Sequence, residues 1–441
     1  MERRVLVHLG HGAFDGPVGE LWLRARAGRT TASFQYTPDW LGHPGRFALD
    51  PALGLRAGPF HAEGSFGCFR DAAPDRWGRQ LVGRVRARAA AAAGQTPHRL
   101  TEADYLLGVD DRTRQGALRF REEPGGPFLG APGPFPVPPL VQLPRLLGAA
   151  EKLDAGAAGD DDLALLLAPG SSLGGARPKA SVLDRDGALA MAKFPRRSDG
   201  WEIPRWEGVA LSLARAAGIA AAESRLETVR ERRVLLVRRF DRAAGNRVPF
   251  LSAMTMLGAA DGERRSYPEI AEAIRRYGAS PAADLKELWR RMVFTVLVSN
   301  HDDHLRNHAF LRLGDGGWRL APAYDLNPTP AEEGGRFLTT AIVAGDPRAS
   351  LEQALETARY YGLAPGGARG VLAEVAASVA GWREEARRFG VGSAEVERMA
   401  SAFEHPERER ARRVLAGGSS GRSPPTGRSG SSAGRRSGSR S

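Results

Sequence analysis

Residues 299–307 read Ser-Asn-His-Asp-Asp-His-Leu-Arg-Asn, and residues 324–327 read Tyr-Asp-Leu-Asn. The first stretch follows an apolar, helix-like run from Trp289 to Val298, so acids, amides and imidazoles gather where a buried helix ends. Phosphoryl transfer from a nucleotide needs such a set. One carboxylate orients the attacking hydroxyl, while an amide and a second carboxylate hold the magnesium that bridges the phosphates. The two stretches therefore favour a phosphoryl-transfer site.

The spacing within these stretches predicts a role for each side chain. Asp-x4-Asn, here Asp302 and Asn307, followed by an Asp at a strand end, is the spacing that protein kinases use. We predict that Asp302 orients the attacking hydroxyl and that Asn307 and Asp325 bind Mg²⁺, which prefers oxygen ligands completed by water and phosphate. His304 is predicted to hold the loop together or to contact phosphate.

Three other interpretations stay open at this point. His301, His304 and His308 are spaced so that they could share one helix face, and imidazoles suit zinc or iron. The dipeptide His301-Asp302 matches metal-dependent HD phosphohydrolases, although that class needs further His and Asp ligands on flanking helices. A catalytically silent DNA-binding co-repressor partner is the third alternative.

A glycine-rich stretch lies upstream of the acidic cluster. Residues 171–179 read Ser-Ser-Leu-Gly-Gly-Ala-Arg-Pro-Lys, and the glycines Gly174 and Gly175 would let the main chain approach phosphate closely. The stretch is not a Walker A loop, because the Lys-Ser/Thr pair that must follow Gly175 is missing. We therefore predict a phosphate-contacting loop of another type.

Two predicted hairpins follow this loop. Lys193 lies in an otherwise apolar strand and is predicted to neutralise nucleotide phosphates while pairing with a helix glutamate. Glu207, on the next helix, is the preferred partner, and Glu202 is the rival candidate. The second hairpin ends in the segment Arg238-Arg239-Phe240, which we predict to connect two lobes and to contact the adenine edge with its backbone.

Composition limits the class of protein. The chain has 441 residues, 42% hydrophobic and 26% charged, as in ordinary globular proteins. The single cysteine, Cys68, excludes an internal disulfide framework and favours a reducing compartment. No apolar run approaches the length of a membrane span, so we expect a cytoplasmic protein. The net charge of +12 includes a tail rich in arginine, and no DNA-reading motif is visible.

The pattern of apolar residues predicts an α+β chain. Period-2 alternation near the start indicates an antiparallel sheet, and helices dominate beyond about residue 250. Among the later helices we predict 351–361, 368–389 and 394–415. The predicted divisions are a β-rich subdomain at 1–121, a Pro/Gly-rich linker or crossing segment at 122–139, a small lobe at 140–245, a helical lobe at 246–414 and a disordered tail at 415–441.

The order of these motifs resembles the HipA family, the serine/threonine-kinase toxins of bacterial toxin–antitoxin modules. The resemblance runs from about residue 4 to residue 390. Its strongest parts are Asn-x-Asp-Asp-His-x-x-Asn from Asn300 and Tyr-Asp-Leu-Asn-Pro from Tyr324. It implies a bilobed protein-kinase-like fold with an added N-terminal antiparallel β subdomain and a mostly α-helical C-terminal lobe. It also implies ATP and Mg²⁺ as cofactors.

The resemblance also implies roles for individual residues. Asp302 matches the catalytic aspartate, and Asn307 and Asp325 match the metal ligands. Ser172 matches a serine that family members autophosphorylate, which expels the loop and silences the enzyme, although the adjacent Ser171 leaves the modified residue open. The matched ATP-binding set comprises Lys193, Ser172, Gly174, Gly175, Lys179, Arg238, Arg239, Phe240 and His304.

The family's partners extend these expectations. Its usual partner is a small helix-turn-helix antitoxin resembling HipB, and the pair binds operator DNA. Characterised relatives phosphorylate a tRNA synthetase or other translation proteins. No antitoxin domain is visible in this chain, so we expect a separate partner. The Pro-rich linker and the arginine- and serine-rich tail depart from the family pattern.

Overall fold

The structure is a computed structural model that describes residues 2–12, 14–26, 29–130, 137–167, 175, 177–243, 245–314 and 316–417. Within this part of the chain, none of the helices combines the length and the apolar character needed to cross a membrane.

The N-terminal region is built on a five-stranded antiparallel sheet with the strand order β4-β3-β2-β1-β5. Side chains on β2 and β3 alternate between buried and less buried positions, as period-2 patterning predicts. The strands are β1 (Glu2–Leu9), β2 (Gly19–Arg26), β3 (Arg29–Tyr36), β4 (Phe60–Glu63) and β5 (Leu118–Arg121). The predicted N-terminal antiparallel sheet is therefore present.

Four helices accompany this sheet. The third is the longest, and the Asp75 side chain caps its N-terminus by accepting from the Gly78 N–H at 2.9 Å. The helices are α1 (Pro38–Gly42), α2 (Gly67–Ala72), α3 (Arg76–Ala92) and α4 (Glu102–Gly108).

The small lobe is a four-stranded antiparallel sheet with the order β6-β7-β9-β8. Alternate residues of β9 pack into two different hydrophobic cores. Val234 and Leu236 belong to one core, and Leu235 and Val237 belong to the other. The elements are a 3₁₀ turn (Leu140–Gln142), α5 (Leu143–Asp154), α6 (Asp160–Leu167), β6 (Lys179–Leu183), β7 (Leu189–Lys193), α7 (Ile203–Ala216), β8 (Ser224–Val229) and β9 (Arg232–Arg238). Helices thus cover both faces of the sheet.

The C-terminal lobe is mostly helical. Its central helix, α10 (Pro281–Val298), is buried at every position from Leu288 to Val298. Two short strands, β10 (Arg242–Ala243) and β11 (Asn246–Arg247), lead into a three-stranded sheet ordered β12-β13-β14. The remaining elements are β12 (Phe250–Ser252), α8 (Ala253–Met256), α9 (Tyr267–Tyr277), β13 (Ala309–Arg312), β14 (Trp318–Leu320), 3₁₀ turns at Ala331–Glu333 and Ala358–Tyr361, α11 (Leu351–Thr357), α12 (Pro365–Ala380), α13 (Trp382–Arg388), α14 (Ser393–Phe403) and α15 (Pro406–Ala416).

The last helices differ from the prediction. The single helix expected over 368–389 is two helices, α12 and α13, that meet at Gly381. The helix expected over 394–415 is also divided, because Pro406 begins α15 and lacks the N–H that a continuous helix would need. Helix α15 extends to Ala416, so residues 415 and 416 of the expected tail are helical, and residues 418–441 lie outside the described part.

The Pro/Gly-rich segment is described at 122–130 and 137–139. Both described parts are hydrogen-bonded to a strand. The Leu129 N–H donates to the carbonyl of Phe120 in β5 at 2.7 Å, and the N–H of Leu183 in β6 donates to the Pro138 carbonyl at 2.9 Å. The described parts of the predicted linker or crossing segment are thus each hydrogen-bonded to a neighbouring sheet.

Candidate active site

Helix α10 delivers the acidic cluster. Ser299 ends the helix in the left-handed conformation, with φ of 54°, and its hydroxyl donates to the Ala402 carbonyl at 2.8 Å. The chain then leaves the helix axis, and residues 300–308 form a loop. The abrupt end of the apolar run therefore marks the start of this loop, called the acidic loop below.

Asp303 anchors the acidic loop from inside. Its buried carboxylate accepts hydrogen bonds from the Tyr267 hydroxyl and from His308 Nε2, the latter at 3.1 Å. Burial by itself would raise the pKa of Asp303, but the facing His308 and Tyr267 groups outweigh it and lower the pKa. Asp303 is thus committed to the loop's own structure.

Asp302 has the opposite environment. Its side chain is exposed at the surface of the loop. Partial burial and the neighbouring carboxylates of Asp325 and Asp303 raise its pKa above the ordinary value, against the opposing influence of His304. The adjacent acids therefore differ, and only Asp302 is open to an incoming group.

Asn307 faces the acidic loop with its amide group. Its Nδ2 donates to the Asp302 carbonyl at 3.0 Å, whereas its buried Oδ1 has no hydrogen-bond partner among the described residues. A buried amide oxygen without a partner is unfavourable unless something else binds it. This oxygen is therefore suited to a cation.

Asp325 reaches the same region from β14. Each of the two preceding residues is fixed by a contact: Ala323 forms an isolated parallel bridge to Ala221, and the Tyr324 hydroxyl donates to the Arg306 carbonyl at 2.5 Å. Asp325 itself is in the left-handed conformation, with φ of 57°. Non-glycine residues held in this conformation are strained and occur often at functional sites.

Lys193 joins the two lobes at this point. At the end of β7, its Nζ lies 2.6 and 2.8 Å from the two carboxylate oxygens of Glu207 on α7. It also lies 2.9 Å from Asp325 Oδ1. The rival Glu202 instead pairs with Arg205. Lys193 is thus an ammonium group shared by one carboxylate of each lobe.

These charges determine how Asp325 titrates. Burial alone would raise the pKa of Asp325, but the ammonium groups of Lys193 and Lys179 outweigh it and lower the pKa to about 2. The carboxylates in turn raise the pKa of Lys193, against the effect of burial. Asp325 is therefore ionised at neutral pH.

The predicted phosphate loop is described only in part. Ser171, Ser172 and Gly174 lie outside the described residues. Gly175 has a positive φ of 91°, which favours glycine, and its carbonyl lies 3.4 Å from Lys179 Nζ. A Cβ added at Gly175 would lie 4.0 Å from Asp325 Oδ2, so this end of the loop borders the Asp325 carboxylate.

The three residues of the predicted connector, Arg238 to Phe240, make different kinds of contact. Arg238 pairs with Asp186 at 2.8 Å, and the Arg239 N–H donates to the Leu189 carbonyl at 3.0 Å. The Arg239 guanidinium is fully buried in an ion pair with Asp241 at 2.6 Å. The Phe240 ring packs against the Tyr324 ring, with 5.3 Å between centroids. A nucleotide contact by Arg239 would thus use its carbonyl.

The histidines do not form the alternative metal site. His308 is committed to Asp303, and the acidic loop is not a helix on which His301, His304 and His308 could share a face. Throughout the described residues, no group of three or more His, Cys, Asp or Glu side chains could hold a metal ion. His304 keeps a buried Nδ1 without a hydrogen-bond partner among the described residues.

Three neighbours of the site were missed in the sequence. Tyr267 supports Asp303, Asn327 Nδ2 donates to Asp325 Oδ1 at 3.1 Å, and Asp75 contacts Lys179. Asn327 lies within the quoted Tyr-Asp-Leu-Asn stretch, so its proximity to Asp325 could have been noticed. Tyr267 and Asp75 come from distant parts of the chain, and nothing in their local sequence indicates these contacts.

Comparison with known families fits this arrangement. The model of the HipA-like C-terminal domain matches residues 171–382, and that of the HipA N-terminal domain matches residues 13–104. The chain belongs to the HipA family. The family models therefore confirm the resemblance that the motifs indicated.

One curated relative extends along most of this HipA-family chain, and a second matches a short part of it. "Putative kinase Y4mE" of Sinorhizobium fredii is 27% identical over 412 residues, covering 87% of this chain and 86% of that protein. A "Putative kinase" of Haemophilus influenzae is 31% identical over 91 residues, covering 20% of this chain and 26% of the relative. The chain is thus a HipA-family, kinase-like protein.

A solved structure shows the same fold. A chain of the complex of HipA, HipB and operator DNA from the Shewanella oneidensis MR-1 toxin–antitoxin system aligns with a TM-score of 0.64 at 17% identity. The alignment covers 93% of this chain and 96% of the other. The predicted α+β, kinase-like fold of the HipA family is confirmed.

Proposed function

We propose that this HipA-family protein is an ATP-dependent serine/threonine protein kinase that uses Mg²⁺. One observation carries the proposal: Lys193 Nζ bonds Glu207 of the small lobe and Asp325 of the helical lobe, at 2.6 and 2.9 Å. Phosphoryl transfer requires a fixed cation near the phosphates and a carboxylate ready for the metal. The names of the relatives, both described as kinases, support the same class.

The nucleotide would lie in the cleft between the lobes. In this proposal Lys193 and Lys179 neutralise its phosphates, Gly174 and Gly175 allow close approach of the loop, and Phe240 borders the base. Arg238 and Arg239 would contribute through the connector backbone, and His304 through its Nδ1, which has no hydrogen-bond partner within the described part of the chain. These roles are supported by the two lysine charges that act together on Asp325.

The donor atoms suit magnesium. Asp325 is ionised, and Asn307 offers a buried amide oxygen without a partner among the described residues, which is the hard oxygen pair that Mg²⁺ prefers. When bound, Mg²⁺ would neutralise charge that develops on the phosphates. Asn307 and Asp325 would hold it, while the Lys193 contact keeps Asp325 oriented.

Asp302 would orient the protein substrate. Its exposed carboxylate can accept a hydrogen bond from a serine or threonine hydroxyl. That oxygen would form a bond to the γ-phosphorus as the bond from phosphorus to the ADP oxygen breaks, and the hydroxyl proton passes to Asp302. The differing environments of Asp302 and Asp303 support this assignment.

Autophosphorylation of Ser172, or of the adjacent Ser171, is a further part of the proposal. A phosphate there would place negative charge beside the loop meant to contact ATP phosphates, and repulsion would expel the loop. Phosphopeptide mapping after incubation with Mg-ATP should find one of these serines modified.

The biological setting is proposed from the family. The S. oneidensis complex contains HipA, HipB and operator DNA. By analogy, we propose a HipB-like helix-turn-helix antitoxin as partner, operator DNA bound through that complex, and a cytoplasmic protein substrate such as a translation factor or tRNA synthetase. The chain would then be the toxin of the pair.

Labelled ATP tests the enzymatic proposal. Purified protein incubated with γ-labelled Mg-ATP should transfer phosphate to itself and to lysate proteins, with label on serine or threonine. Asp302→Asn should lower turnover by about 100-fold or more, and Asp325→Ala should abolish it. Asp161→Asn, an exposed acid at the start of α6, is the matched control and should retain full turnover. Unchanged turnover in both site variants would contradict the proposal.

A further inference from the structure

The N-terminal region contributes a charge to the cleft. Asp75 Oδ2 lies 2.7 Å from Lys179 Nζ, and the two side chains are only 9% and 4% exposed. The residues are 104 positions apart in the chain, so the contact joins the start of α3 to the first strand of the small lobe. It is therefore a buried ion pair between two parts of the molecule.

Asp75 is itself fixed firmly. Its other oxygen, Oδ1, accepts from the Gly78 N–H at 2.9 Å and caps α3. Two residues along, Trp77 Nε1 donates to the Lys179 carbonyl at 3.1 Å. The Trp77 ring packs into the same core as the small-lobe sheet. The carboxylate is thus held in place before any ligand binds.

Lys179 stands close to Asp325 as well. A Cβ added at Gly175 would lie 3.5 Å from Lys179 Nζ and 4.0 Å from Asp325 Oδ2, so both groups border one small space. The flexible four-carbon stem of lysine could carry the ammonium across this space. Since Lys193 already bonds Asp325, a second ammonium there would occupy the carboxylate and repel a divalent cation.

We propose that Asp75 is a positioning residue that holds Lys179 away from Asp325 and so keeps the Asp325 carboxylate open to a divalent cation. The inference rests on the proposed function, in which Asp325 binds the metal. A buried ammonium without a carboxylate partner is unfavourable, so Lys179 should pair with another carboxylate when Asp75 is removed. Asp325 is close enough to be that partner. The N-terminal region thereby tunes a site built from the other two parts of the chain.

Manganese binding tests this inference without relying on turnover. Each full-length variant is kept saturated with a non-hydrolysable ATP analogue, at a concentration set from its own affinity for the analogue, and is titrated with Mn²⁺ while free Mn²⁺ is followed by electron paramagnetic resonance. Loss of the phosphate contact proposed for Lys179 then lowers the affinity for the analogue and not the occupancy at which Mn²⁺ binding is measured. Asp75→Asn should weaken Mn²⁺ binding by about tenfold or more, because an added unit charge within a few ångströms acts strongly in a partly buried site. Adding Lys179→Met to that variant should restore binding to within about threefold of wild type.

A matched control separates this effect from damage to α3. Glu102→Gln breaks the ion pair with Arg79 of the same helix, at 2.7 Å, without touching Lys179. It should leave Mn²⁺ affinity unchanged. If Asp75→Asn does not fold, Lys179→Met alone decides: affinity at least equal to wild type supports the inference, and weaker affinity overturns it.

The outcomes distinguish the two proposals. Wild-type affinity in Asp75→Asn, or a double variant that binds as weakly as Asp75→Asn alone, would overturn the positioning role while leaving the kinase proposal standing. Wild-type protein that binds no Mn²⁺, or binds it equally well after Asp325→Ala, would overturn the proposed function and this inference with it.

Discussion

At Lys193, one ammonium group serves two carboxylates. Glu207 contributes two short contacts and Asp325 one, and all three side chains are largely buried. Removing ions from water is unfavourable, so each member depends on the others for compensation. The position of Asp325 is consequently coupled to that of α7, which carries Glu207.

Glu207→Gln should therefore weaken both folding and nucleotide binding. The change leaves Lys193 with Asp325 as its remaining carboxylate in this cluster, and we expect the free energy of unfolding to fall by about 3 kcal/mol, at the low end for a broken buried pair. The KM for ATP should rise by about tenfold as Lys193 shifts. Urea denaturation and initial-rate kinetics measure the two effects.

The control for this change is Glu384→Gln, an exposed acid on α13. It should alter the free energy of unfolding by less than about 0.5 kcal/mol. A Glu207→Gln protein with wild-type stability and wild-type KM would contradict the role given to the shared ammonium.

Sequence reasoning worked well for contacts near in the chain. Lys193 and Glu207 are 14 residues apart on consecutive elements, so a strand lysine and a helix glutamate could be paired in advance. The Asp75–Lys179 pair could not be predicted, because the two residues are 104 positions apart and nothing in the local sequence of Asp75 indicates a lysine partner. An aspartate can cap a helix with one oxygen and serve a distant lysine with the other.

At the scale of elements, the exit from β9 is locked by a buried charge cluster. Arg239 and Asp241 are fully buried against each other, and Arg239 Nη1 donates to the Thr113 carbonyl at 3.0 Å. Asp241 Oδ2 also accepts from the Gly116 N–H at 2.8 Å. The connector between the lobes is thus bound to the N-terminal region just before β5.

This cluster should make the fold sensitive to acid. Burial would raise the pKa of Asp241, but Arg239 and Arg242 outweigh it and hold the pKa far below its usual range. A carboxyl with a depressed pKa stabilises the fold above its unfolded pKa of about 3.9, and that stability is lost as pH falls toward the folded pKa. Stability should therefore drop steeply below about pH 4.

Thermal melts between pH 3 and pH 7 measure this linkage. Asp241→Asn should be less stable than wild type at neutral pH, and its melting temperature should decline less steeply in acid. The exposed Asp161→Asn variant should follow the wild-type profile. Parallel profiles for Asp241→Asn and wild type would rule out a dominant contribution from this carboxyl.

The elements themselves were predicted unevenly. The first of the two predicted hairpins is present as β6 and β7, and Gly187 in its turn has a positive φ of 78°, which favours glycine. The breaks in the last helices were overlooked, because apolar spacing continued through Gly381 and Pro406. Periodicity reports which face is buried, and it continues across a break when the next helix packs on the same core.

At the scale of the whole molecule, the N-terminal region and the helical lobe share one core. Ser252 donates to buried Asp71 from its N–H at 2.7 Å and from its hydroxyl at 2.8 Å. Gly67, at the start of α2, lies against the Thr255 side chain so closely that an added Cβ would come within 2.5 Å of Thr255 Cγ2. The two regions therefore meet without space for another carbon.

Gly67→Ala should consequently destabilise the protein by about 1–3 kcal/mol, as overpacking does. Thr255→Ala should relieve the clash, so the double variant should lose less stability than the sum of the single changes. Gly83→Ala is the matched control on α3, where nothing lies within 4 Å of the added carbon, and it should be neutral or slightly stabilising. Urea denaturation of the four variants provides the measurement.

Additive losses in the double variant would contradict the close approach at Gly67.

The bilobed α+β plan with an N-terminal sheet was predictable from patterning and motif order. The contacts that the N-terminal region makes with the connector and with the cleft could not be predicted in this way. The side chains of Asp71 and Asp75 and the carbonyl of Thr113 act through contacts that only the assembled fold creates.

The main-chain bridge beside Asp325 has a mechanical consequence. The Ala222 N–H donates to the Ala323 carbonyl at 2.9 Å, and the Ala323 N–H donates to the Ala220 carbonyl at 2.7 Å. These bonds tie the turn after α7 to the residue two positions before Asp325. Lys193 Nζ, at 2.9 Å from Asp325 Oδ1, forms a second link between the lobes close to the first. Rotation of one lobe against the other would therefore break these bonds unless its axis passed close to Ala323.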